Sequence, residues 1–308
     1  MLPVILGISG PSLSSEERDL FTKHKPHGII LFKRNCHSRE QIIALNRSIK
    51  DLIGADVKIL IDQEGGRVAR IKPPISSQEY PNMEFFGKIY TEEGRDTAIQ
   101  KTEQNFFALM SELKELGIDV TCAPVCDLRH IGAHDIVGNR SFGTDTQIVI
   151  DLCEAALDGI HRAGGEGVLK HIPGHGRSMY DSHLTLPTVD TSLEELEKTD
   201  FMIFKALANK CQYAMTAHII YSCFDHNNTI TTSRNAIDYI RQNIGFTGML
   251  MTDDLDMKAL AGSLEENTEA ALNAGCNIAL QCSGNIKHIA SVIDAIVKSV
   301  SSSSDFTI

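Results

Sequence analysis

Short, nearly unbroken apolar runs alternate along this chain with longer stretches in which apolar residues return every three to four positions. The runs fall at 4–7, 28–32, 57–62, 120–125, 167–171, 213–218, 249–253 and 277–281. Mostly apolar and only a few residues long, they fit strands buried on both faces, as parallel strands are. Between them the stretches 38–52, 97–116, 146–163, 192–208, 235–244, 265–274 and 286–300 carry helical spacing. Punctuation supports several boundaries. Thr191 or Ser192 can cap a helix with Glu194 and Glu195 in its first turn, and Gly117 follows a helix ending near Leu116.

Strands that alternate with helices imply parallel pairing and right-handed crossovers. Eight such units with no break in composition predict an α/β fold, a single closed (β/α)8 TIM-type barrel over residues 1–300. An open doubly wound sheet would carry a phosphate-binding glycine fingerprint after its first strand, whereas Ile-Ser-Gly-Pro follows here. The 308 residues suit one barrel of about 250 residues plus insertions. The Ser-rich residues 301–308 are expected to form a flexible tail.

Composition narrows the function. A formal charge of −11 argues against a nucleic-acid partner, which would favour clustered Lys and Arg. The eight cysteines include no Cys-x-x-Cys pair, which suits reduced structural thiols. The apolar N-terminal run lacks a basic flank and is too short for a signal peptide or a membrane span. A cytoplasmic location with no membrane partner is therefore expected.

A barrel places its chemistry at the C-terminal ends of its strands. Those ends read Asp62, the region of Asp127, Lys170 with His171, His218, Asp253 with Asp254, and Gln281. The densest segment is 170–183, with three histidines, a lysine and an aspartate in fourteen residues, interrupted by Pro173, Gly174 and Gly176. Three classes of function fit. In glycoside hydrolysis, Asp253 or Asp254 would serve as nucleophile and His183, oriented by Asp181, as acid/base. In metal-dependent hydrolysis, donors would come from His171, His175, Asp181, His183, His218 and Asp253. The Ile-Pro-Gly between His171 and His175 denies those two a shared helix face, and the first strand carries no His-x-His. The third class is a sugar-binding barrel without turnover, using Asp62, Arg70 and Lys170. The segment 61–70, with Asp62 at a strand end and the Gly65-Gly66 turn, favours a carbohydrate ligand; Arg140 lies on a further Gly-bounded loop.

Five segments together resemble family 3 glycoside hydrolases, in particular the bacterial β-N-acetylhexosaminidases of the NagZ type. They are Ile-Asp-Gln-Glu-Gly-Gly-Arg-Val at 61–68, Ala-Pro-Val-Cys-Asp at 123–127, Asn-Arg-Ser-Phe-Gly at 139–143, Lys-His-Ile-Pro-Gly-His-Gly through Asp-Ser-His at 170–183, and Thr-Asp-Asp-Leu-Asp-Met at 252–257. The resemblance implies a barrel that removes terminal nonreducing β-linked N-acetylglucosamine with retention, without metal or other cofactor. It maps the nucleophile to Asp253, the acid/base to His183, its dyad partner to Asp181, and sugar binding to Asp62, Arg70, Arg140, Lys170 and His171. His175 matches the motif and is expected to serve loop structure. Because adjacent strand residues point to opposite sides, only one of Asp253 and Asp254 is expected to face the sugar. Ile172 stands where phenylalanine is common, and Asp256 where serine is common. The resemblance further implies a cytoplasmic enzyme of peptidoglycan recycling, expected as a monomer, whose partner is a small carbohydrate: N-acetylglucosamine linked to 1,6-anhydro-N-acetylmuramyl species and their peptides.

Overall fold

The computed structural model describes residues 1–179 and 186–302, with side chains to residue 299. Eight strands form one sheet: β1 (Leu2–Gly7), β2 (Pro26–Leu31), β3 (Lys58–Ile61), β4 (Val120–Thr121), β5 (Val168–Ile172), β6 (Tyr213–Thr216), β7 (Met249–Asp254) and β8 (Ile278–Gln281). Their order across the sheet is β4-β3-β2-β1-β8-β7-β6-β5, and every pairing is parallel. The two outermost strands meet through parallel bridges between Val120 and Glu166 and between Val125 and Lys170, which draw the sheet into a barrel. Ten α-helices cover it among the described residues: α1 (Ser15–Lys23), α2 (Arg39–Ile53), α3 (Met83–Glu92), α4 (Arg95–Glu115), α5 (Thr146–Arg162), α6 (Leu193–Lys198), α7 (Asp200–Leu207), α8 (Arg234–Tyr239), α9 (Leu264–Ala274) and α10 (Ile286–Ser302). None is long and apolar enough to cross a membrane.

The apolar runs divide by parity. Ile5, Ile30, Leu60, Val120, Val168, Met251 and Leu280 pack into the barrel interior, while Val4, Leu6, Ile29, Leu31, Ile59 and Ile61 pack outward against the helices. Each buried aliphatic side chain contributes about 1.5–3 kcal/mol relative to exposure, and the sheet divides them into an inner and an outer core. Side chains repeat on one face every second residue, so the residue two positions past an inward core residue is again inward. Leu60 is followed by Asp62, Val168 by Lys170, Met251 by Asp253, Leu280 by Cys282 and Ile30 by Phe32. The period that builds the core thus delivers these five side chains to one rim.

Three expectations about the elements change. The strand expected over 120–125 stops at Thr121, because Pro124 has no N–H for the ladder and Val125 rejoins only as a single bridge. The single helix expected over 192–208 is broken at Thr199, whose φ of −127° and ψ of −95° leave the helical region. The Thr199 hydroxyl bonds the Glu195 carbonyl and the Asp200 carboxylate, and Asp200 is itself held by His130 and Arg177, so side-chain bonds fix the break. Ser192 caps the first piece through the Glu195 N–H. The final helix runs to Ser302, past its expected end at 300.

Candidate active site

A cavity of about 390 Å³ opens at the C-terminal ends of the strands, lined by Asp62, Arg70, Arg140, Lys170, His171 and Asp253 among others. These are all the expected sugar-binding positions together with the expected nucleophile. Asp181 and His183 lie outside the described residues.

One side of the cavity is a lattice of opposed charges. The Lys170 ammonium, almost fully buried, lies 2.7 Å from Glu64 Oε1 and 3.1 Å from Asp62 Oδ1. Arg70 donates to the other Asp62 oxygen at 2.8 Å. Arg140 binds Glu64 with two parallel bonds of 2.8 Å each, the strong fork geometry of a guanidinium on a carboxylate. Burial pushes the Asp62 and Glu64 carboxyls upward, but Lys170 with Arg70 holds Asp62 well below the usual carboxylate range, and Arg140 with Lys170 holds Glu64 below its ordinary value. The same carboxylates lift Lys170 above its ordinary value despite burial. The Phe32 ring lies under two guanidiniums, 4.8 Å from Arg34 and 5.1 Å from Arg70, and steadies both.

Glu64, which is not among the expected site residues, joins Lys170 to Arg140. Its signal is the strand period: it stands two residues after Asp62, so both carboxylates share a face. Asp127, at a strand end already expected to reach the rim, is buried in the barrel wall and is the second supporting carboxylate. Its Oδ2 accepts from His171 Nδ1 at 2.7 Å, and its Oδ1 accepts from the backbone N–H groups of His171 (3.0 Å) and His175 (2.7 Å). One carboxylate therefore fixes the His171 ring and the start of the following loop. His175 is fully buried, with its ring edge-on to His171 at 5.4 Å, and burial pushes its imidazole down to about 4. Gly176 is required here by space, since a Cβ would stand 1.7 Å from the Leu128 carbonyl oxygen.

The opposite side carries Asp253 and Asp254. Both border the cavity, which differs from the expectation that one alone would. The register of β7 against β8 shifts between Met251 and Asp254, so simple alternation ends there. Their bonding separates them all the same. Asp254 Oδ1 accepts from the N–H groups of Asp256 (3.2 Å) and Cys282 (3.1 Å), which commits it to the turn. Asp253 Oδ1 accepts the Asp254 N–H at 2.8 Å. Burial pushes Asp253 upward, but His171 and His218 together with that N–H hold it below its ordinary value, so it is a carboxylate at neutral pH. Burial pushes Asp254 up to about 6, with the charges of Asp253 and Asp256 adding to the effect. His218, a rim residue in the sequence reading, is buried; its Nε2 donates to the Asp254 carbonyl at 3.1 Å and its Nδ1 meets the Thr231 hydroxyl at 2.7 Å. Gln281 turns to the Asp256 carboxylate. Among the described residues no group of three His, Cys, Asp or Glu side chains could hold a metal ion.

A cavity with an ionised carboxylate facing a paired cationic lattice can hold a polyhydroxyl ligand and present a nucleophile to it. The family model for the glycosyl hydrolase family 3 N-terminal domain matches residues 5–305. The chain belongs to glycosyl hydrolase family 3. It is therefore a glycoside hydrolase, and its barrel is the catalytic fold of that family. It is 36% identical over 300 residues to a beta-hexosaminidase of Tolumonas auensis, covering 96% of this chain and 87% of that one. Among solved structures it resembles NagZ from Neisseria gonorrhoeae in complex with N-trifluoroacetyl-D-glucosamine, with a TM-score of 0.87 and 32% identity over 95% of this chain and 84% of that one. It also resembles a family 3 β-N-acetylglucosaminidase from Paenibacillus sp. FPU-7, with a TM-score of 0.90 and 28% identity; this chain covers 57% of that protein's length.

Proposed function

We propose that this family 3 hydrolase is a retaining β-N-acetylglucosaminidase acting through a covalent glycosyl-aspartate. Asp253 attacks the anomeric carbon, and the Asp181–His183 dyad protonates the leaving oxygen and then deprotonates the incoming water. Asp62, Arg70, Arg140, Lys170 and His171 hold the sugar, with Glu64 and Asp127 fixing them. The observation that carries this reading is the state of Asp253: an ionised carboxylate on the inward parity of β7, facing the Asp62–Lys170 lattice across one cavity. Its neighbour Asp254 is bound into the turn and suits the role of support. The catalytic unit in this reading is residues 1–300; of the tail expected over 301–308, residues 301–302 belong to α10 and 303–308 lie outside the described residues.

The similarity to a beta-hexosaminidase and to NagZ supports N-acetylglucosamine as the sugar removed. The natural substrate in this reading is a muropeptide fragment met in the cytoplasm during cell-wall recycling, and the enzyme acts as a monomer without cofactor. The test is turnover of an aryl β-N-acetylglucosaminide against the matching aryl β-glucoside, with and without chelator, following the anomer first released by NMR. Preference for the acetamido sugar, release of the β anomer and indifference to chelator are expected. Release of the α anomer, or loss of activity to chelator, would overturn the mechanism.

A further inference from the structure

Asp256, where this chain departs from the serine common in the resembling family, is tied into a cluster that the reaction as described does not use. Its Oδ2 accepts from Gln281 Nε2 at 2.5 Å, and its Oδ1 lies 3.0 Å from Nδ1 of the half-exposed His288 in the first turn of α10. Its backbone N–H donates to Asp254 Oδ1. The Asp254 N–H in turn donates to Asp253. A chain of short contacts thus runs from a partly exposed imidazole, through Asp256 and Asp254, to the carboxylate read as the nucleophile. A serine at 256 would be shorter and would bring no carboxylate charge beside Asp254.

We propose that Asp256 and His288 are a positioning pair for the nucleophile: they pin the turn after β7 to β8 and α10, and they set the charge that Asp254 carries beside Asp253. This rests on the reading of Asp253 as the nucleophile. An ionised Asp254 raises the negative potential where positive charge develops on the anomeric carbon, so activity rises as Asp254 loses its proton. The groups facing Asp254 are Asp253 on β7, Asp256 in the turn, the Cys282 thiol after β8, the Arg34 guanidinium after β2, and the His218 ring at its carbonyl. Those facing His288 are the Asp256 carboxylate and the Ser283 hydroxyl. Burial and the charges of Asp253 and Asp256 push Asp254 up to about 6, which puts its ionisation within the working range.

The two halves of the pair then act with opposite sign. Asp256→Asn keeps an acceptor for one partner but removes a negative charge facing Asp254, so Asp254 ionises at lower pH. His288→Gln removes the imidazole that lies 3.0 Å from the Asp256 carboxylate, leaves that carboxylate less engaged where it faces Asp254, and drives Asp254 the other way. The experiment is the pH profile of kcat/KM on a dinitrophenyl β-N-acetylglucosaminide, whose leaving group needs no proton. The expected result is an acid limb displaced downward in Asp256→Asn and upward in His288→Gln, each by roughly half a pH unit. Limbs that stay put, or that move in the same direction, overturn the proposal, because a purely structural role would lower activity without opposed shifts. If Asp256→Asn does not fold, the exposed His288→Gln decides by itself. Asp253→Ala is measured alongside. Surviving activity there overturns the nucleophile reading, whereas unmoved limbs with an inactive Asp253→Ala overturn this proposal alone.

Discussion

Two walls of one cavity treat buried carboxylates in opposite ways. On the wall built by β3 and β5, Asp62 and Glu64 lie within about 3 Å of Lys170 or an arginine, and every charge has an opposite neighbour. On the wall built by β7, Asp253 and Asp254 stand side by side, and among the described residues neither forms an ion pair within 4.0 Å; backbone N–H groups and neighbouring imidazoles do the stabilising. The first arrangement is rigid and its charges are spent on one another, which suits holding a ligand. The second keeps one carboxylate charged and, among the described residues, outside any ion pair within 4.0 Å, which suits attack on an electron-poor carbon.

The comparison breaks most visibly at Asp253. Asp253→Ala is expected to lower kcat on an aryl β-N-acetylglucosaminide by at least about 10⁴-fold. Added azide should then restore turnover and yield the α-glycosyl azide, since an outside nucleophile would enter from the vacated face. Activity within tenfold of wild type would remove the β7 wall from the chemistry altogether.

The second break is in stability, at Lys170. Replacing it by methionine leaves Asp62 and Glu64 buried with one cation fewer, and removing one partner of a buried pair costs about 3–5 kcal/mol. Both carboxyls lie below their ordinary values of 3.8 and 4.5 in the folded state, so the stability they contribute is present above those values and is lost as pH falls through the folded ones. Urea titrations at pH 7 and pH 3 should show the gap between variant and wild type narrowing at the lower pH. A constant gap would mean that the loss is one of packing rather than charge.

Much of this contrast is legible in the chain. Eight apolar runs give the barrel, and their ends give Asp62, Lys170, His171 and Asp253. The residues that hold those side chains are harder to read. Glu64 and Asp127 act through other protein groups, so their meaning depends on partners 76 and 44 positions away. Helix α1 has too few apolar positions for its periodicity to stand out, and only Glu17 and Phe21 in it are buried. The break at Thr199 lies inside an intact helical pattern and is set by tertiary bonds to Asp200. Asp256 is visible as an unusual residue, but its contacts with Gln281 and His288 exist only once β8 is laid beside β7.

The finest test of the contrast is Asp254, where the sign of the pH effect reverses relative to Asp62 and Glu64. Its folded value of about 6 lies above its ordinary 3.8, so the folded state holds the proton more tightly than the unfolded chain. Below 3.8 both states are protonated and the site costs nothing; as pH rises through about 6 the penalty of a buried charge beside Asp253 reaches its full value, about 2–3 kcal/mol. Asp254→Asn keeps an oxygen to accept the Asp256 and Cys282 N–H groups and removes that charge. It should therefore be more stable than wild type at pH 8, by up to this amount, and indistinguishable from it near pH 3.5. Lys170→Met has the opposite profile, destabilised at neutral pH and converging in acid. If Asp254→Asn proves less stable at pH 8, the β7 wall compensates its charges as the other wall does, and the division of the cavity into a spent side and a reactive side fails.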